Sequence, residues 1–241
     1  MINIKYQTVL FGNFEDISPK PDNLKYFIEL FSDKELIPTT FQEIGPGGAV
    51  NRFSLTDTDQ VWLIEFGSNR LDIQHTNKNV GVTNFSTLEA FISETKSMIE
   101  SITTRFSKKF NRLSLVTRTL LDEMSPEELG EIYHRLNNTI DLYKENRIAD
   151  WNTRTVSRIL YDFGKKNETF NVISDIKRVK GQLNINSKKT EVDRIELNFD
   201  LNTFQGNTEY RFDYSDFKNF ADFTFKLESD LRNKYLKLIK P

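Results

Sequence analysis

The sequence predicts an α+β fold of two tandem β-α-β-β-β(-β)-α pseudo-repeats, residues 1–110 and 111–241. They form one compact unit, an antiparallel sheet with long helices packed on one face. Three observations predict it. Short stretches alternate apolar with polar residues, the period of a half-buried strand. Two long stretches carry apolar residues at helical spacing. And a pair of landmarks, Ser-Pro followed much later by aromatic-Ser at a helix start, occurs once in each half: Ser18-Pro19 with Phe85-Ser86, then Ser125-Pro126 with Tyr214-Ser215.

Taken in order, "YQTVLFGNFE" (6–15) is a strand, and after Ser18-Pro19 a helix shows Leu24, Phe27, Ile28 and Phe31 at helical spacing. Strands follow at "LIPTTFQEI" (36–44), "NRFSLTD" (51–57), "VWLIEFG" (61–67) and "RLDIQHT" (70–76), the last two joined by a turn at "GSN". A long helix over 84–106 presents Phe85, Leu88, Phe91, Ile92, Ile99, Ile102 and Phe106, with Asn84 or Ser86 as its N-cap.

The second half repeats the order. "RLSLVTRTLL" (112–121) is a strand. Ser125-Pro126-Glu127-Glu128 then has the residues of a capping box, with proline at the first helical position. That helix shows Leu129, Ile132, Tyr133 and Leu136 and is expected to run on through Ile140 and Tyr143. Strands follow at 151–163, 168–185 and 193–204; in the last, Ile195, Leu197, Phe199 and Leu201 alternate with Glu196, Asn198, Asp200 and Asn202. A terminal helix covers 213–239. The two landmarks lie 67 residues apart in the first half and 89 in the second, which predicts longer hairpins in the second. Helices that bury Phe/Leu/Ile stripes on one sheet face leave the alternate, polar residues on the other.

This element order resembles the fold of the TATA-binding protein and its looser relatives. The likeness implies a sheet continued across a pseudo-twofold axis, with the long helices across one face. It is a likeness of topology and carries no activity with it. The opening strand "TVLFGNFEDI" (8–17), the hairpin "VWLIEFGSNRLDIQHTN" (61–77) and the closing helix "FADFTFKLESDLRNKYLKLI" (220–239) are similar to a sporadically distributed family of uncharacterised bacterial and archaeal proteins of about this length, known by a serial number. The chain departs from it in having no Trp after Arg70-Leu71. The patchy distribution of that family implies an accessory role, such as mobile-element conflict or phage defence.

Composition narrows the chemistry. Among 241 residues there are 20 Phe and no Cys, so the core is aromatic and there is neither a disulfide nor a thiolate site. The opening "MINIKYQTVLFG" lacks a signal-peptide pattern, and no apolar run approaches the roughly 20 residues of a membrane span, so a cytoplasmic location without membrane contact is expected. His75 and His134 stand in different elements without metal-ligand spacing: His75 shares strand parity with Leu71 and Ile73, and His134 lies on an exposed helix face. "GPGGAV" (45–50) leads into a strand rather than a helix, so it reads as a hairpin connection and not a phosphate loop. Asp57 and Asp59 read as a turn, and "SETK" (93–96) lies within a helix with no companion motif. No catalytic residue, metal or cofactor is indicated.

Charge is uneven. Residues 1–104 carry 8 Lys/Arg against 14 Asp/Glu, whereas residues 144–194 carry 12 against 7. In the basic stretch Arg154 and Arg158 share a strand face, Lys177, Arg178 and Lys180 follow on the next strand, and Trp151 and Tyr161 are near in sequence. The sequence thus points first to a non-enzymatic binding or adaptor protein that offers an open sheet face or an inter-repeat groove to a protein partner. The alternative is a nucleic-acid-binding protein that uses Arg154, Arg158, Lys177, Arg178, Lys180 and Trp151 for phosphate pairing and base stacking. A weaker alternative is a metal-dependent enzyme with carboxylates Asp57, Asp59 and Asp72.

Overall fold

At the centre of the sheet, β1 (Ile2–Gly12) and β6 (Phe110–Leu120) run antiparallel, one strand from each half of the chain. Outward from β1 lie β5 (Arg70–Thr76), β4 (Trp62–Phe66), β3 (Gly48–Thr56) and the edge strand β2 (Ile37–Gly45). Outward from β6 lie β9 (Lys188–Thr203), β8 (Asn167–Ile185) and the opposite edge β7 (Asn152–Asp162). All neighbours are antiparallel, and in each half the last strand returns beside the first. The computed structural model describes residues 1–78, 85–162, 167–185 and 188–240, and the side chains of 183–185, 188 and 190 are not described. The five helices are α1 (Pro21–Leu30), α2 (Leu88–Phe106), α3 (Pro126–Leu136), the single turn and a half of α4 (Asp141–Glu145), and α5 (Tyr214–Ile239).

Hydrophobic burial decides which way the sheet faces. Tyr6 and Leu10 of β1, Leu113 and Leu115 of β6, Phe53, Ile64, Phe66, Leu71 and Ile73 in the first half, and Phe170, Val172, Leu197, Phe199 and Leu201 in the second share one face and are buried. On this face α1 lays Phe27, α2 lays Phe91 and Ile99, and α5 lays Phe217 and Phe220, in one core that draws on both halves. A second cluster joins Leu129 and Ile132 of α3 to Trp151, Ile176, Ile195 and Leu197. The expected α+β architecture, with helices on an antiparallel sheet, is what the chain adopts.

Capping accounts for the helix starts. Ser125 Oγ accepts from Glu128 N and Glu128 Oε2 from Ser125 N, which is the capping box read from the sequence. The cap of α2 is neither Asn84, which lies outside the described residues, nor Ser86, but Thr87, whose hydroxyl accepts from Ala90 N. The cause is Phe85, whose ring packs against Tyr6 and His75 on the sheet, so the helix begins only after it. The expected extension of α3 stops at Asn137, an extended residue whose amide reaches back to Tyr133 O and on to Thr153 Oγ1. The two landmarks also take different positions. Ser125 caps α3, whereas the N-cap position of α1 is Lys20, which makes no side-chain cap, with Pro21 inside the first turn. Phe85 precedes the cap of α2, whereas Tyr214 follows Asp213, the cap of α5.

The hairpins follow the turn chemistry. Gly45 pairs with Gly48, whose φ of +103° is one that side-chain-bearing residues rarely adopt, so "GPGG" closes β2 onto β3. Gln60 takes positive φ, and Asp57 Oδ1 accepts from Trp62 N across the next turn. β8 and β9 are the longest strands, as the wider landmark spacing predicts: they stay paired from Val179↔Arg194 to Ile185↔Lys188, beyond the last partners supplied by β7 and β6.

Candidate recognition surface

Strand alternation sends the remaining side chains to the face opposite the helices, and no helix among the described residues packs there. Its centre is built by Lys5, Gln7, Val9 and Phe11 of β1 beside Arg118, Val116, Ser114 and Arg112 of β6. A bulge at Ile4 shifts the β1 register between Asn3 and Lys5, so Asn3 turns to the helix side, where its Oδ1 accepts from Thr119 Oγ1.

Acids and bases interleave across this face. Gln7 Nε2 lies 2.9 Å from both Asp72 oxygens. Asp72 stands opposite Glu65, and burial pushes both carboxyl groups above their ordinary range, reinforced at Glu65 by the neighbouring Asp72 charge. Burial also pulls Lys5 down, against the attraction of Asp72. On the other side of the centre, buried Glu196 takes Arg118 Nε at 3.0 Å and Lys177 Nζ at 3.1 Å. Asp200 accepts from Ser114 Oγ and Asn202 Nδ2, and Asn171 donates to Asn202 and Gln205 while receiving Arg158 Nε at 3.3 Å. Two guanidinium groups lie over rings, Arg112 4.7 Å from Phe11 and Arg158 4.9 Å from Phe204. The result is a polar surface whose side chains are held in place by one another.

The structure divides the basic residues expected to act together. Arg154, Arg158 and Lys177 do share the open face. Arg178 faces the helix side: its guanidinium grips Asp193 in two bonds of 2.7 and 2.6 Å and donates to Ile148 O, with only 1% of the side chain exposed. That pairing raises the Arg178 pKa and lowers that of Asp193. Lys180 Nζ donates to Ala149 O, and the buried Trp151 gives its indole N–H to Leu129 O. Arg178, Lys180 and Trp151 therefore anchor the segment that enters β7, and of the six only Arg154, Arg158 and Lys177 share the open face. The reason is elementary: neighbouring residues on a strand face opposite ways, so Lys177 and Arg178 belong to different surfaces.

The carboxylates do not assemble either. Asp57 is spent on its turn and Asp72 on Gln7, and no group of three or more His, Asp or Glu able to hold a metal occurs among the described residues. His75 is buried, stacked 4.3 Å from Trp62 and 4.7 Å from Phe85, with no partner for Nδ1. Burial pulls its pKa down, so the fold favours the neutral ring. Because the folded-state value is depressed, this contribution to stability is complete above the ordinary value of about 6.5 and is lost as pH falls toward the folded value. His75→Phe is expected to keep the stacking, to cost under about 1.5 kcal/mol at pH 7.5, and to lose less stability than the parent between pH 7.5 and 5. Urea unfolding at both pH values measures this.

A cleft of about 420 Å³ lined by Asn3, Tyr6, Glu228 and Arg232 opens between the start of α2 and α5. Buried Glu228 accepts from Thr117 Oγ1 at 3.0 Å and pairs with Arg232, which also donates to Thr119 Oγ1. Burial raises the Tyr6 hydroxyl to about 12, so it stays protonated at neutral pH. Glu228 and Arg232 match each other within the wall and bond Thr117 and Thr119 of β6, which ties α5 to the central strands. Comparison of the chain with family models, curated proteins and solved structures found no match.

Proposed function

We propose that the protein is a non-enzymatic binding module that docks a folded protein partner on the helix-free face of its sheet. The observation that carries this reading is the composition of that face: the cations Lys5 of β1 and Arg118 of β6 lie side by side at its centre and are flanked by carboxylates, Asp72 of β5 beside Lys5 and Glu196 of β9 paired with Arg118 and Lys177. A polyanion favours a surface of one sign. A mosaic of both signs with the half-buried Phe11 and Val116 among them suits another protein surface. Size is sufficient, since nine strands at about 4.8 Å each span roughly 40 Å, and about 800 Å² per partner makes a standard interface. The last strand of each half returns beside its first, β5 beside β1 and β9 beside β6, which supports duplication of an ancestral unit as the origin of this surface.

A photo-crosslinking residue at Phe11 or Val116 is expected to give discrete protein adducts in lysate of the native host, resistant to nuclease. The same residue at Lys226 or Leu238 on exposed parts of α5 is expected to give none. With the partner in hand, Arg118→Glu should weaken binding about tenfold, near 1.4 kcal/mol. Equal yields at all four positions would remove the reading.

Nucleic acid is the second reading, favoured by Arg154, exposed and without an ion pair among the described residues. It requires salt-sensitive retention on DNA or RNA that falls when Arg154 and Lys177 become Glu.

A further inference from the structure

The two edges of the sheet are not equivalent. β2 carries Pro38, which has no N–H to donate, and so it is a poor template for a further strand. β7 has no proline and no bulge: eleven consecutive residues pair with β8 in unbroken register. Its outer row of N–H and C=O groups has no strand neighbour among the described residues, and every residue from Arg154 to Arg158 is exposed on whichever face it occupies.

We propose that β7 pairs antiparallel with β7 of a second copy of this chain, about a twofold axis through residue 158, joining two sheets edge to edge. The occupant is chosen by self-complementarity. In this register Arg154 faces Asp162 of the other copy, and Val156, 47% exposed, faces Leu160, 76% exposed, each contact occurring twice. On the helix side Thr155 meets Tyr161 and Ser157 meets Ile159, so both faces match polar with polar-tipped or small with apolar. The one like-charged contact is Arg158 with itself. Its guanidinium is already drawn inward, bonded to Asn171 Oδ1 on β8 and lying over Phe204, away from the edge. Nine paired residues supply about eight backbone hydrogen bonds, an interface small enough to dissociate in the micromolar range. This pairing leaves the helix-free face open and does not depend on the partner proposed for it.

The chain has no cysteine, so single cysteines act as a ruler. Residues directly opposite across an antiparallel pair lie about 4.5–5.5 Å apart at Cα, within disulfide range. Arg158→Cys, at about 100 µM with a mild oxidant, is expected to form a covalent dimer. Val156→Cys and Leu160→Cys alone are expected to remain at least tenfold less cross-linked, because each lies several residues from its own copy. Sedimentation should show a reversible dimer of the parent, weakened at least tenfold by Arg154→Asp or by Asp162→Arg and restored when the two are combined. Circular dichroism checks that each variant is folded. A parent that stays monomeric at 500 µM, equal cross-linking at all three positions, or single and double charge variants that behave alike would each overturn the proposal.

Discussion

Phe27→Ala is expected to cost about 4 kcal/mol of folding free energy, within the range of roughly 3–5 for a fully buried phenylalanine. The side chain is wholly buried, and α1 uses it to reach the sheet. Its ring lies 4.7 Å from Phe66, 5.3 Å from Phe53, 5.8 Å from Phe106 and 6.1 Å from Phe31, so it meets β3, β4, α2 and the residue that ends its own helix at once. Four large rigid neighbours cannot close over the space, and the cavity term adds to the lost transfer energy. For a chain of this length, about 4 kcal/mol lowers the melting temperature by roughly 8–16 °C. Phe27→Leu, which keeps most of the volume, should cost about 1.5 kcal/mol or less. Denaturant titration of both variants checks the ratio, and equal losses would mean that the ring cluster is not what holds α1.

Arg52→Met is expected to cost about 3–5 kcal/mol, although it replaces a charge by an apolar side chain of similar length. Arg52 is 2% exposed and donates to four backbone carbonyls: Phe66 at 3.0 Å, Gly67 at 3.0 Å, Phe14 and Glu15. One side chain on β3 thereby joins the end of β4 to the loop that leaves β1. Burial lowers its pKa, and the nearest carboxylate, Glu43, stands 4.0 Å away and is itself held by Ser68. Methionine would leave those buried carbonyls without donors, which is the costly half of any lost hydrogen bond. Arg52→Lys keeps the charge but has a single nitrogen to offer, and it should recover less than half of the loss. Urea unfolding gives both values, and a neutral Arg52→Met would show that water takes over the carbonyls.

The contrast between these residues says what was legible in the sequence. Phe27 shows its place through helical spacing, because a period of 3.6 is a local property. The same holds for the strand faces and for the capping box at Ser125. Arg52 shows nothing, since its role is to satisfy carbonyls 14 to 38 residues distant that come near only once three strands are aligned. The basic surface was half legible: strand parity alone separates Arg178 from Lys177. That Arg178 is held by Asp193 follows from the β8–β9 register, which a strand read without its partner does not contain. The start of α2 was obscured because Ser86 and Thr87 can both cap, and only the seat of Phe85 on the sheet decides between them. The bulge at Ile4 was likewise silent, and it sets which way Asn3 points.

Where β8 and β9 outrun their neighbours, the sheet narrows to a ribbon of two strands. Inside the sheet each of these strands is clamped on both sides and by helices, and its twist is shared with the rest. The ribbon is released from that constraint, and two-stranded ribbons twist more strongly than wide sheets. A pair of strands alone is at best marginally stable in water, so this ribbon depends on the sheet it grows from. The other end of β8 is part of the core itself, where Phe170 and Val172 are buried.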